Sequence, residues 1–366
     1  MLIPALSDIY IDNTHRGKLV WHHNVTLVEW GSPAPPAGQA FMTDNDQKSL
    51  LLLKPRGFCA GVVRAIDIVR IALETFGPPI YVRKEIVHNR YVVEELSAKG
   101  AIFVDGVEEV PPGERVIYSA HGVAPKVREA SEQRNLRVID ATCPLVTKVH
   151  VEAVRFAKEG YSLILIGHRD HDEVIGTLGE APGVTQVVGS AREVESLHVP
   201  DPNRVAYLTQ TTLSLDETRD IVEALEKKFP NIKGPLAQDI CYATENRQTA
   251  VKHIASEVDL LLVVGSDNSS NSKRLVEVAG SLRTPAYLIE NYRAIKSEWL
   301  EAVRNVAVTA GASAPECLVE EVVQYLRGRG YTNLREVEVM PENVRFGLPP
   351  EIVEAIGSAP ATVAAE

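Results

Sequence analysis

The sequence predicts an α/β fold of three small parallel-sheet lobes, related by a pseudo-threefold axis around a central metal-cluster site. Three observations carry that expectation. From Leu51 onward, short runs that are continuously apolar or β-branched alternate with amphipathic helical patterns, as parallel strands covered on both faces by crossover helices require. Cys59, Cys143 and Cys241 each open a helical stretch, and at offsets of 29, 28 and 28 residues each is followed by a polar turn, at His88, His171 and Ser269. A second strand in each unit runs into another polar turn, at His121, Thr211 and Ser313. One large doubly wound sheet is the competing architecture.

Residues 1–47 read as an N-terminal extension. They contain two short apolar runs, KLVWHH and VTLVEW, suited to the edge of a sheet, and end in SPAPPAGQ and TDNDQKS before the composition changes at Leu51. Lobe 1, residues 48–143, holds the strands LLLLK, IYVRK, RVIYSA and LRVID around the helix VVRAIDIVRIALETF. Lobe 2, residues 144–240, begins with the helix PLVTKVHVEAVRFAKEG and continues through SLILIG, TQVVG and VAYLT. Lobe 3, residues 241–318, begins with NRQTAVKHIASEV just after Cys241 and continues through LLLVVG, AYLIE and VAVTA. Residues 319–366 are expected to pack back on the core and to end in a flexible tail, APATVAAE.

A formal net charge of −11 over 366 residues argues against a nucleic-acid surface or an anionic membrane as partner, since either normally calls for a basic patch. Four cysteines spaced 84, 98 and 76 positions apart match neither a secreted disulfide framework nor paired zinc-ribbon spacing, so a reducing cytoplasm is expected. No apolar run approaches the roughly 20 residues of a membrane span. In parallel-sheet units the turn after each strand opens a helix N-terminus at the carboxyl edge, where free N–H groups and the helix dipole favour anions. The same dipole lowers the pKa of a thiol that begins a helix, so thiolate ligation is locally favoured. Cys317 lies inside a helical pattern and reads as an ordinary helix residue; His150 likewise reads as packing.

Nine segments, GFCAGVVRAI, VHNRYVVEEL, SAHGVAPKVRE, DATCPLVTKVH, LIGHRDHDEVIGT, TQTTLS, DICYAT, GSDNSSNSKRL and TAGASAPE, occur in the order of the motif series of the 4-hydroxy-3-methylbut-2-enyl diphosphate reductases, last enzymes of the non-mevalonate isoprenoid pathway. The chain resembles that family from about Leu51 to Pro349. The resemblance implies three lobes around a 4Fe-4S cluster held by Cys59, Cys143 and Cys241, with one iron open to substrate. It implies diphosphate binding by His88, His121, His171, Ser269, Ser270, Asn271 and Ser313. Glu173 would be the proton source and Thr211 its relay. The implied reaction is the reductive dehydroxylation of an allylic diphosphate to isopentenyl and dimethylallyl diphosphate, with a donor such as ferredoxin or flavodoxin. An aconitase-like hydro-lyase and a non-catalytic metal or redox sensor are the alternatives. The sequence departs from the pattern at Asp172, where the family usually has Pro.

Overall fold

The computed structural model describes residues 48–358. The expected N-terminal extension and the end of the C-terminal tail lie outside the described residues. From its start the chain runs β1 (Lys48–Lys54), α1 (Ala60–Phe76), β2 (Ile80–Arg83), α2 (Arg90–Ala98), β3 (Ala101–Val104), β4 (Arg115–Tyr118), α3 (Pro125–Gln133) and β5 (Arg137–Asp140). It continues through α4 (Pro144–Lys158), β6 (Ser162–Ile166), α5 (Asp172–Glu180), β7 (Thr185–Val188), α6 (Ala191–Val194), β8 (Val205–Thr209) and α7 (Leu215–Lys228). The last part comprises α8 (Tyr242–Ile254), β9 (Leu260–Val264), α9 (Ser270–Ser281), β10 (Ala286–Ile289), β11 (Asn305–Ala310), α10 (Glu316–Arg327), β12 (Tyr331–Glu338) and α11 (Pro350–Ser358).

These strands form three sheets, ordered β3-β2-β4-β5, β7-β6-β8 and β10-β9-β11-β1-β12, and all the pairings within them are parallel. One pattern generates all three. In each unit the first strand lies centrally, the second beside it at the edge, and the third on its other flank. A fourth lane then lies beyond the third strand. It is filled by β5 in the first sheet, by a single parallel bridge between Ala206 and Lys233 in the second, and by β1 in the third. The threefold arrangement therefore closes on itself.

That closure corrects the expected lobe boundary at residue 48. The strand Lys48–Lys54 does not join the sheet of the chain that follows it: Leu50 and Leu52 register with Val306 and Val308 of β11, and Leu50 to Lys54 with Leu334 to Glu338 of β12. Strand β1 is apolar on both faces, and only the third sheet offers it a neighbour on each side. The chain after residue 318 contributes β12, next to β1, and α11, against α1.

Each sheet is covered on both faces, so alternate residues of one strand enter different cores. In the third sheet Leu262 and Val264 pack with Val319 and Val322 of α10, while Leu261 and Val263 pack with Val251 of α8 and Leu275 of α9. In the second, Ile164 and Ile166 face Ile221 and Leu225 of α7, and Leu163 and Leu165 face Val149 and Phe156 of α4. Strand β9 is buried at every position, each side chain contributing about 1.5–3 kcal/mol of transfer free energy. This two-sided burial makes the strands read as unbroken apolar runs. Among the described residues no helix is long and apolar enough to cross a membrane.

Candidate active site

Turns at the carboxyl edges of all three sheets line one cavity of about 100 Å³, well above the roughly 10–15 Å³ that admits a single water. After the central strands β2, β6 and β9 come His88, His171 and Ser269. After β4 and β11 come His121 and Ser313, each three residues beyond the strand end. After the fourth lanes come Cys143, Cys241 and Cys59. The structure thus brings every candidate site residue to this cavity, including Glu173, Thr211, Ser270 and Asn271.

Each of the three cysteines is the extended residue immediately preceding a helix: Cys59 before α1, Cys143 before α4, Cys241 before α8. Each is fixed by its own backbone. The N–H of Cys59 donates to Ala312 O, that of Cys143 to Ala120 O and that of Cys241 to Thr211 O, at 3.2, 3.0 and 3.0 Å. These acceptors all lie in the turns after the third strands, so the fourth lane of each sheet hangs its cysteine from the neighbouring turn. The register also shows that Thr212, not Thr211, occupies the position equivalent to His121 and Ser313.

The sulfur donors fit a metal cluster. Gly61 keeps room for them, because a Cβ there would fall 2.7 Å from Cys143 Sγ. Burial and the neighbouring Cys59 push the Cys143 thiol up to about 12, and burial with the Cys59 charge pushes Cys241 up to about 11. Two thiols so disfavoured as free thiolates, beside a third, need a cation to ionise together. At Cys241 the Thr244 N–H donates to Sγ at 3.4 Å, and Thr244 Oγ1 lies 3.2 Å away.

The three histidines form a cluster. His88 and His121 stack with centroids 4.0 Å apart, and His171 meets them edge-on at 5.4 and 5.8 Å. Burial, then the two neighbouring imidazoles, lowers His121 well below the usual histidine value. Burial, then His88 and His168, lowers His171 to about 3. His171 Nδ1 accepts the Glu173 N–H at 3.2 Å, which leaves its proton on Nε2. His121 Nδ1 lies 3.2 Å from Ser119 Oγ.

Hydroxyl and amide groups tie the turns together, both within the third sheet and between sheets. Ser313 Oγ donates to His88 O at 2.9 Å, Asn271 Oδ1 accepts the Ala312 N–H at 2.8 Å, and Ser270 Oγ donates to Thr212 O at 3.3 Å. Ser269 caps α9. Among the described residues, no Lys or Arg lines the cavity.

Glu173 sits in the first turn of α5, 2% exposed. The Thr211 N–H donates to its Oε1 at 2.6 Å and the Thr211 hydroxyl to its Oε2 at 3.0 Å. Burial outweighs both bonds and raises the carboxyl to about 7. A buried acid poised near neutrality is suited to proton transfer. Asp172 begins the same helix, with an oxygen within 4.8 Å of ring nitrogens of His88 and His121.

Cys317 is exposed on α10, away from the cavity and next to Tyr91. His150 packs within α4, with Nδ1 3.1 Å from Glu180. Sequence reasoning missed Thr212, Thr244, Glu85 and Tyr242. Tyr242 OH accepts the Ala60 N–H at 3.2 Å and so joins the starts of α8 and α1. Thr244 carries a signal in its spacing, third after a helix-capping Cys241. Tyr242 acts across elements distant in sequence and carries none, while Glu85 lies three residues before His88 and meets its Nδ1 at 3.3 Å.

A family profile described as LytB protein matches residues 50–327. A protein of Acidothermus cellulolyticus named 4-hydroxy-3-methylbut-2-enyl diphosphate reductase is 55% identical over 307 residues, 84% of this chain and 90% of that protein. One of the same name from Streptomyces coelicolor is 52% identical over 326 residues, 89% and 96% of the two chains. Among solved structures, the E-1-hydroxy-2-methyl-but-2-enyl-4-diphosphate reductase of Plasmodium falciparum superposes with a TM-score of 0.83 at 43% identity, over 85% of this chain and 98% of its own. The three-sheet α/β architecture is the one shared with that solved structure.

Proposed function

This chain belongs to the LytB protein family, and we propose that it is a reductase that removes the hydroxyl of (E)-4-hydroxy-3-methylbut-2-enyl diphosphate to give isopentenyl and dimethylallyl diphosphate. The relatives' names support this reaction, and none of those cited is named a hydro-lyase or a sensor. The observation that carries the reading is one cavity faced by three thiols, three imidazoles and a buried carboxyl raised to about 7. Cys59, Cys143 and Cys241 would hold an iron-sulfur cluster, read as 4Fe-4S with one iron lacking a protein ligand. When bound, the cluster supplies electrons and Lewis acidity toward the substrate hydroxyl.

The chain's own residues do the rest. The Nε2–H of His171, the hydroxyls of Ser269, Ser270 and Ser313 and the Asn271 amide grip the diphosphate together with His88 and His121. Turn donors and helix N-termini take the place of lysines and arginines there. Glu173 delivers a proton to the departing hydroxyl oxygen through Thr211, whose hydroxyl its carboxylate already holds. The carbon–oxygen bond breaks and the oxygen leaves as water. Two electrons from an external donor, of the ferredoxin or flavodoxin type, and a second proton to the allylic carbons complete the balance. Burial keeps water from competing for the Glu173 proton.

The test is anaerobic turnover of the iron-loaded protein with the substrate and a chemical reductant. Reductant-dependent appearance of both isomeric diphosphates supports the reading. Protein with full iron content that makes neither product overturns it, and water loss without reductant would point to a hydro-lyase.

A further inference from the structure

Each of the three cysteines follows the last lane of one sheet and begins a helix that covers another. Helix α1, begun at Cys59, lies on the first sheet, whose fourth lane leads to Cys143. Helix α4, begun at Cys143, lies on the second sheet, whose fourth lane leads to Cys241. Helix α8, begun at Cys241, lies on the third sheet, whose fourth lane β1 leads back to Cys59. Every pair among these cysteines is therefore spanned by one sheet and the helix at its start.

In each unit a cationic side chain joins the two ends of that span. Arg64, five residues after Cys59, donates from Nη1 to Thr142 O at 3.0 Å, the carbonyl just before Cys143. Lys148, five residues after Cys143, donates from Nζ to Asp239 Oδ1 at 2.9 Å, to Gln238 O at 3.2 Å and to Ala237 O, all on the approach to Cys241. Arg247, six residues after Cys241, donates from Nη2 to Gly57 O at 2.7 Å, two residues before Cys59. The cations are themselves held. The buried Asp239 carboxylate also accepts the Thr209 N–H at 2.9 Å. Arg247 is fully buried and meets Glu342 at 3.1 Å, and Arg64 Nε donates to Gly347 O at 2.7 Å, so the chain after β12 braces two of the three spans.

We propose that Arg64, Lys148 and Arg247 are positioning residues, each fixing one edge of the triangle of cysteine sulfurs, and that together they set how tightly the cluster is held. This rests on the cluster reading proposed above. The first edge is short: a Cβ on Gly61, in the first turn of α1, would lie 2.7 Å from Cys143 Sγ and 3.9 Å from Cys59 Sγ. Hydrogen bonds from a charged donor are among the stronger ones, and groups that orient metal ligands commonly contribute a factor of about 10 to 100 in metal affinity. A role confined to helix packing would loosen a lobe without favouring any pair of thiols. An edge dictates which two thiols come free together.

The experiment uses the iron-loaded protein as wild type, Arg64→Met and Lys148→Met, challenged with an iron chelator in the presence of iodoacetamide. Absorbance of the chelate follows iron release, and mass spectrometry maps the thiols as they are alkylated. Both variants should release iron about 10- to 100-fold faster than wild type, the factor such groups carry in affinity. Arg64→Met should be alkylated first at Cys59 and Cys143, and Lys148→Met first at Cys143 and Cys241. Arg64→Lys and Lys148→Arg, which keep a charged donor, should restore most of the retention. Because Lys148→Met leaves the buried Asp239 carboxylate without its cation, Lys148→Met combined with Asp239→Asn is measured beside it, and circular dichroism checks that each variant is folded. Wild-type release rates in the folded methionine variants, or one order of alkylation common to both, would overturn the inference and leave the cluster reading standing. Wild-type protein that keeps its iron while Cys59, Cys143 and Cys241 are all alkylated would overturn that reading and this inference with it.

Discussion

Glu173→Gln separates chemistry from stability in a single substitution. The glutamine keeps the length and shape of the side chain. Its carbonyl oxygen can accept the Thr211 N–H, now bonded at 2.6 Å, and its amide can donate to the Thr211 hydroxyl, which rotates to accept. What is lost is an acidic proton. General acid catalysis is worth about 10²- to 10⁴-fold, so kcat should fall by about that factor. With Glu173 titrating at about 7, wild-type kcat should decline as the pH rises through that value, and the residual rate of the variant should lack that inflection.

Stability should move the other way. A folded-state value raised from 4.5 to about 7 means that the folded protein holds this proton more tightly than the unfolded chain does. The unfavourable burial of charge is therefore absent below about pH 4.5 and fully felt above about pH 7, where it amounts to about 3 kcal/mol. Glutamine never ionises, so Glu173→Gln should become progressively more stable than wild type as the pH is raised from 5 to 8. Parallel urea unfolding at those two pH values reads the difference, and initial-rate kinetics on the iron-loaded proteins reads kcat. A variant turning over at the wild-type rate would remove Glu173 from the proton path. A stability difference independent of pH would show that the carboxyl is not held protonated by burial.

Three further outcomes follow from the cavity. Cys59→Ser, Cys143→Ser and Cys241→Ser should each lose bound iron, visible absorbance and nearly all activity, whereas Cys317→Ser should keep all three; iron and sulfide analysis with absorbance spectra decides. His88→Ala and His121→Ala should raise KM with a smaller loss of kcat, because a diphosphate grip acts in ground and transition states alike; unchanged KM values would count against that role. Gly61→Ala should lower iron content without unfolding α1, since alanine suits a helix but its Cβ would meet Cys143 Sγ at 2.7 Å, and circular dichroism beside iron analysis separates the two effects.

Much of this architecture was legible because its strands are buried on both faces, and such strands announce themselves whatever their partners. LLLVV of β9 needs no neighbour to be recognised. The reverse holds for β12, whose sequence YTNLREVE is exposed at most positions. It is a strand because β1 offers a free edge, which no local pattern in YTNLREVE records. Strand β3, AIFV, has only four residues, too few for a period to stand out. The assignment of β1 to the third sheet was illegible for a different reason: parallel pairing is non-local, and Leu50 finds Val306 only after the intervening chain has folded.

The site divides along the same line. Cysteines, histidines and serines in turns could be found from their offsets, because each turn is local and each offset records one crossover. Each Nδ1 meets a partner of its own turn, Glu85 for His88, Ser119 for His121 and the Glu173 N–H for His171, whereas what braces those partners comes from other turns. Asn268, after β9, reaches Glu85, after β2, at 2.6 Å, although the two are 183 residues apart in sequence. No local pattern records a brace of that kind. The offsets along the chain place the turns, and the contacts between turns decide how their side chains are held.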